Sequence, residues 1–223
     1  MISQALASKR EEEASTINCQ SLGLIDYEEA LAIQRQLHQE VVDQISASSL
    51  LLLQHPPVFT AGRRTLDSER PIDGSKVIDV DRGGKITFHG PGQIVGYPIV
   101  KLKKPNDVVG FVRQLEKALI QICQDFNIKG QTYCERSGVW VRDERGDRKI
   151  AAIGIRVAKG VTMHGFALNV NPDLSFFDRI IPCGIADAQV TSMAKELNRS
   201  ISLEQVQEVV AARMKQSLSQ VIQ

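Results

Sequence analysis

Nothing in this sequence is long and apolar enough to span a bilayer. Apolar runs such as Leu50–Leu53 stop after four residues, against the roughly 20 that a membrane-spanning helix needs. Cysteine is sparse. Cys19, Cys123, Cys134 and Cys183 form no C-x-x-C pair and no metal-ligand spacing, so neither a zinc site nor a disulfide framework is indicated. The polar start, with Glu11–Glu13, has no apolar h-region and is too acidic for an organelle transit peptide. A cytoplasmic protein with reduced thiols is expected. Charge of one sign is not in excess: 27 Lys and Arg against 26 Asp and Glu leave a net charge of +1, which predicts neither a nucleic-acid nor a membrane partner. There is no internal repeat or low-complexity tract. G-x-G-x-x-G and the P-loop G-K-[ST] are both missing.

What is present fits one domain over residues 1–223, with residues 1–14 expected to be flexible. Hydrophobic residues make up 43% and charged residues 24%, ordinary for a globular chain that can bury a core without disulfide or metal. Ala30, Ile33, Leu37 and Val41 recur at helical spacing and predict a helix over Tyr27–Val42, capped by Asp26 with Glu29 as the reciprocal partner. A second helix is expected from Asp107 to Phe126 and a third over Leu203–Leu218, with Ser202 and Gln205 as its capping box. Leu50–Leu53 reads as a buried strand that His55-Pro56-Pro57 ends. Further strands are expected at Val77–Val80, Lys85–Phe88, Ile94–Val100, Gly138–Arg142, Ile150–Ala158 and Val161–Val170. Strands cluster in the middle, so the fold class is α/β of the α+β type, a mixed or antiparallel sheet flanked by helices.

Three segments carry candidate chemistry. Arg82 to Gln93 is rich in glycine, and strand alternation puts Thr87 and His89 on one side; a plain hairpin explains it equally well. A two-residue loop at Lys159-Gly160 would pair Ala152 with Ala167 and Gly154 with Gly165. Those four small residues share one face, and Ile153, Ile155, Phe166 and Leu168 share the other, which should be core. The small face is either a groove for something slim and apolar or a seat for a closely packed helix. Finally, Cys183 sits between Pro182 and Gly184, on a turn where backbone N–H groups can face a substrate. Most lone cysteines are inert core residues, and Cys123 on an apolar helix face fits that description.

Taken together, R-G-G-K-I-T-F-H-G-P-G-Q at 82–93, R-K-I-A-A-I-G-I at 148–155, H-G-F-A-L-N at 164–169, P-C-G-I at 182–185 and H-P-P-V-F-T-A-G-R at 55–63 resemble the octanoyltransferases of lipoic acid synthesis, the lipoate–protein ligase B family. The similarity covers roughly residues 24–215. It implies a fold like the catalytic domain of biotin and lipoate protein ligases, and transfer of octanoyl from acyl carrier protein, which bears it on phosphopantetheine. The acceptors it implies are lipoyl domains of 2-oxoacid dehydrogenases and the glycine-cleavage H protein. It implies Cys183 as the acyl-thioester nucleophile with Lys149 as partner; for the proton of the acceptor lysine, Lys149 is the candidate base and His89 a second. Substrate contacts are implied at Arg82, Gly83, Gly84, Lys85, Ile86, Thr87, Phe88 and His89, at Ala152, Ile153 and Gly154, and at Gly165, Phe166 and Ala167. Neither ATP nor metal is implied, and a monomer is expected. Alternatives are an ATP-dependent lipoate or biotin ligase and a non-catalytic module that binds the carrier or lipoyl domains. Strict alternation puts Lys149 on the face opposite Ala152, so a bend or loop start is expected at that end of the strand.

Overall fold

A computed structural model describes residues 17–133, 136–180 and 189–223. The two-period and 3.6-period stretches of the sequence become β1 (Asn18–Leu24), α1 (Tyr27–Val42), β2 (Ser49–Gln54), β3 (Val58–Ala61), β4 (Val77–Asp79), β5 (Thr87–His89), β6 (Gln93–Ile99), α2 (Val108–Asp125), β7 (Gly130–Gln131), β8 (Val139–Asp143), β9 (Gly146–Ala158), β10 (Val161–Asn169), β11 (Gln189–Val190), α3 (Met193–Leu197) and α4 (Leu203–Leu218). The expectation for residues 1–14 lies outside the described residues.

The main sheet has the order β1-β2-β6-β10-β9-β8-β7, with β11 beside β9. It is mixed, because β1–β2 and β11–β9 are parallel and the other pairs antiparallel. A smaller sheet of β4-β3-β5 sits apart. Capping residues set the helix starts. Asp26 accepts from Glu28 N at 2.8 Å, Asp107 from Gly110 N at 2.8 Å and Ser202 from Gln205 N at 3.3 Å. The cap of α1 therefore runs through Glu28 rather than through the expected Glu29.

One face of the main sheet packs on α2 and α4. Leu50, Leu52, Ile153, Ile155, Phe166 and Leu168 meet Phe111, Leu115 and Leu119 of α2 and Val206, Val210 and Met214 of α4. The other face carries Leu51, Leu53, Val95 and Tyr97 against Ala30 and Val41 of α1. This helix covers only part of that face. The rest is open and is walled by the smaller sheet and the glycine-rich segment. No helix among the described residues is long and apolar enough to cross a membrane.

β1, β3, β7 and β11 are not among the expected strands, and two expected strands start elsewhere. β5 begins at Thr87, two residues late, because the Arg82–Lys85 stretch is a loop that Arg82 holds closed. β9 begins at Gly146, four residues early, so Lys149 lies inside a strand and not at a loop start.

A candidate acyl-transfer site

A cavity of about 310 Å³ opens on the face that α1 leaves bare. Its floor is the β9–β10 hairpin. Lys159 and Gly160 both have positive φ, 51° and 75°, the backbone of a type I′ turn. That turn fixes the register, and Ala152 faces Ala167 while Gly154 faces Gly165. All four small residues line the cavity, with Ile153 and Phe166 at its border.

The strip has structural reasons as well. A Cβ on Gly154 would lie 2.9 Å from Gly83 O, and one on Gly165 would collide with the Gly96 carbonyl of β6. The glycines thus admit a loop and a neighbouring strand, not a closely packed helix. Ala152 and Ala167 remain as the part of the strip that leaves room.

Lys149 reaches the same cavity by a route alternation does not predict. β8 pairs Val139 with Ala151 and Trp140 with Lys149, so Ile150 is an extra residue, a β-bulge. Ile150 and Ala151 both point into the core under α2. The bulge thus resets the alternation, and Lys149 shares a face with Ala152. The bend or loop start is replaced by a bulge in mid-strand. The Lys149 side chain is buried, with its ammonium 4.6 Å from the centre of the Trp140 ring.

The glycine-rich segment forms the opposite wall. Arg82, Gly84, Lys85, Ile86, Thr87 and His89 line the cavity. Phe88 turns away to stack on Phe176 at 4.5 Å, and Gly83 spends its N–H on Ile155 O at 2.9 Å. Thr87 and His89 thus share a side, as alternation requires. The Arg82 guanidinium donates to Gly83 O, Lys85 O and Thr60 O at 3.1, 2.9 and 2.8 Å. It works from within the protein as the clasp of the loop. Lys85 pairs with the buried carboxylate of Glu69.

Residues that the sequence did not single out complete the walls. Tyr27, Tyr97, His164, Arg64, Arg136 and Ser137 line the cavity. Tyr97 donates to His55 Nε2 at 2.8 Å, while His55 Nδ1 donates to Ile25 O at 2.8 Å. Burial pushes the Tyr27 hydroxyl up to about 12. His164 holds φ at 58°, and its N–H donates to Gln34 Oε1 at 2.9 Å. Its Nε2 meets Asp81 Oδ1 at 2.8 Å. The only sequence signal for these groups was the proximity of His55 and His164 to glycine- and proline-rich motifs.

Burial lowers the pKa of His55, His89 and His164, that of His89 well below the usual histidine value. Arg82 adds to the effect at His89 and His164, and Asp81 opposes it at His164. All three are therefore neutral at pH 7. The unfolded chain binds more protons than the folded one as pH falls below about 6.5. Stability from these sites is complete above that pH and is lost as pH falls toward the folded values. Each histidine costs up to about 1.4 kcal/mol per pH unit in that interval. Thermal melts should show a falling midpoint from about pH 7.5 to about pH 5.5; a level midpoint would contradict neutral buried histidines.

Cys183 lies outside the described residues, between Ile180 and Gln189. Val190 on the far side of that gap pairs with Lys149. Among the described residues, no group of three or more His, Cys, Asp and Glu is placed to hold a metal.

Comparison with known proteins agrees with this architecture. The lipoyl protein ligase A/B catalytic domain matches residues 26–215. An octanoyltransferase of Acidothermus cellulolyticus is 56% identical, covering 88% of this chain and 89% of its own. One from Streptomyces coelicolor is 50% identical over 87% of this chain and 89% of its own. In three dimensions, a bipartite lipoate protein ligase from Thermoplasma acidophilum superposes with a TM-score of 0.70 at 13% identity, covering 91% of this chain and 84% of that one. A biotin protein ligase from Aquifex aeolicus gives 0.52 at 14%, covering 91% and 69%. These structural likenesses concern the fold, which is the ligase-like catalytic fold expected from the motifs.

Proposed function

The chain belongs to the lipoyl protein ligase A/B catalytic-domain family, and from that membership we infer that it works as an octanoyltransferase with Cys183 as its acyl carrier. It is an acyltransferase of protein lipoylation. The reading is carried by the bulge at Ile150, which turns the Lys149 ammonium into a slim cavity floored by alanine and glycine.

The donor is octanoyl on the phosphopantetheine thiol of acyl carrier protein. The acceptors are lysines of lipoyl domains of 2-oxoacid dehydrogenases and of the glycine-cleavage H protein, in the cytoplasm. A free thiol has a pKa of about 8.5, and the Lys149 ammonium favours its thiolate. Cys183 Sγ attacks the thioester carbonyl, and the C–S bond to the carrier breaks. Lys149 gives its proton to the departing carrier thiolate and is left neutral. One thioester has been exchanged for another, so no ATP is consumed. The acceptor ammonium then loses a proton to Lys149, its amine attacks the acyl carbon, and the C–S bond to Cys183 breaks. The amide forms and the last proton goes to solvent. Lys149 suits this second step better than His89, whose burial makes it a weak base. Backbone N–H groups of the glycine-rich segment would stabilise the oxyanion.

Intact-protein mass spectrometry tests this. Octanoyl-acyl carrier protein without ATP should add one octanoyl mass, mapped to Cys183 and discharged by a lipoyl domain. An unmodified protein, or transfer that requires ATP and free octanoate, would overturn the proposal.

A further inference from the structure

Five cationic side chains line the cavity, Arg64, Arg82, Lys85, Arg136 and Lys149, and no aspartate or glutamate does. Three of them already have work. Arg82 clasps the glycine-rich loop, Lys85 is matched by Glu69, and Lys149 is assigned to acyl transfer. Arg64 and Arg136 remain. Among the described residues neither has a carboxylate partner, whereas Arg70, Arg113, Arg145, Arg148 and Arg156 all do.

Both are nevertheless held in place. The Arg64 N–H donates to Gly84 O at 3.1 Å, which ties its turn to the cavity rim and leaves the side chain exposed. The Arg136 guanidinium lies over the Tyr133 ring at 5.5 Å and the Trp140 ring at 5.9 Å. A guanidinium supported on aromatic faces keeps the N–H fork at its edge for another acceptor. Two arginines without a carboxylate partner among the described residues, lining a cavity that no aspartate or glutamate lines, suit an anion. The acyl chain belongs in the small-residue groove, so whatever joins its thioester to the carrier must pass this rim.

We infer that Arg64 and Arg136 bind the phosphodiester of the donor's phosphopantetheine arm. The inference rests on the function proposed above. Arginine suits the task because its fork matches two phosphate oxygens at once. The site would select donors by the arm and leave the groove to select by the acyl chain.

Two small donors that differ by one phosphate test this, octanoyl-4′-phosphopantetheine and octanoyl-pantetheine. The wild-type protein should prefer the first by about tenfold or more in kcat/KM. In the Arg64→Gln/Arg136→Gln variant the ratio should fall to within about twofold of one. Arg64→Gln alone, at an exposed position, should lower it part of the way. A wild-type ratio near one, or a ratio that survives in the double variant, overturns the inference and leaves the acyltransferase intact. Absence of transfer from every octanoyl thioester overturns the function itself, and this inference with it.

Discussion

Lys149→Ala is expected to lower turnover by about a hundredfold or more, the usual worth of a positioned general acid and base. The loss should appear in both half-reactions. Without the ammonium, the Cys183 thiolate fraction falls and the departing carrier thiolate has no proton source. Without the neutral amine, the acceptor lysine has no base. Lys149→Arg separates these roles. A guanidinium keeps the positive charge but cannot be deprotonated in a protein. Acylation of Cys183 should then survive in part, while transfer to the lipoyl domain fails and the acyl-enzyme accumulates. Single-turnover mass spectrometry resolves the two steps, and circular dichroism confirms that each variant is folded. Near-normal turnover of Lys149→Ala would remove this residue from the mechanism.

How Lys149 reaches the cavity shows where reading the sequence succeeds and where it stops. The Lys159-Gly160 turn is a local feature, and it carries with it the full pairing of Ala152 with Ala167 and Gly154 with Gly165. The helix over Tyr27–Val42 and its Asp26 cap are local for the same reason. A bulge is not local. Ile150 becomes the extra residue only because β8 pairs across it, and R-K-I-A-A-I alternates no differently for that. β1 escapes a reading of the sequence because it is an edge strand with little buried side chain, completed by β2, and β3 because it is short and completed by β4 and β5. Tyr27, Tyr97 and His55 meet through three separate elements, so no spacing could announce them. The role proposed for Cys183 rests on the resemblance of the combined motifs, because Cys183 lies outside the described residues.

Glu196→Ala should destabilise the fold more than Lys149→Ala or the arginine variants, although Glu196 does not line the cavity. Its buried carboxylate accepts from Arg148 Nε and Nη2 at 2.9 and 3.0 Å, and from Thr191 Oγ1 at 2.6 Å. Burial pushes its pKa up, but the hydrogen bonds from Arg148 and Thr191 and the charges of Arg148 and Arg145 outweigh it and hold the group below the usual carboxylate range. Breaking a buried pair by removing one partner costs about 3–5 kcal/mol, because the other charge is stranded. Asp143 still faces Arg148, at 2.8 Å, so the lower end applies, about 3 kcal/mol. For a chain of this size that is a fall of roughly 6–12 °C in the melting midpoint. Glu196→Gln keeps the shape and an acceptor for Thr191 and should lose less. The damage should also reach the chemistry. Thr191 N donates to Lys149 O at 2.9 Å, and Thr191 O accepts from Asn169 Nδ2 at 2.9 Å. Asn169 in turn accepts from Gln93, whose Oε1 faces His89. Loosening Thr191 therefore loosens the strand that presents Lys149. Glu196→Ala should lose turnover well below its melting midpoint, and a variant with a lowered midpoint but full low-temperature turnover would show that Thr191 does not position the site.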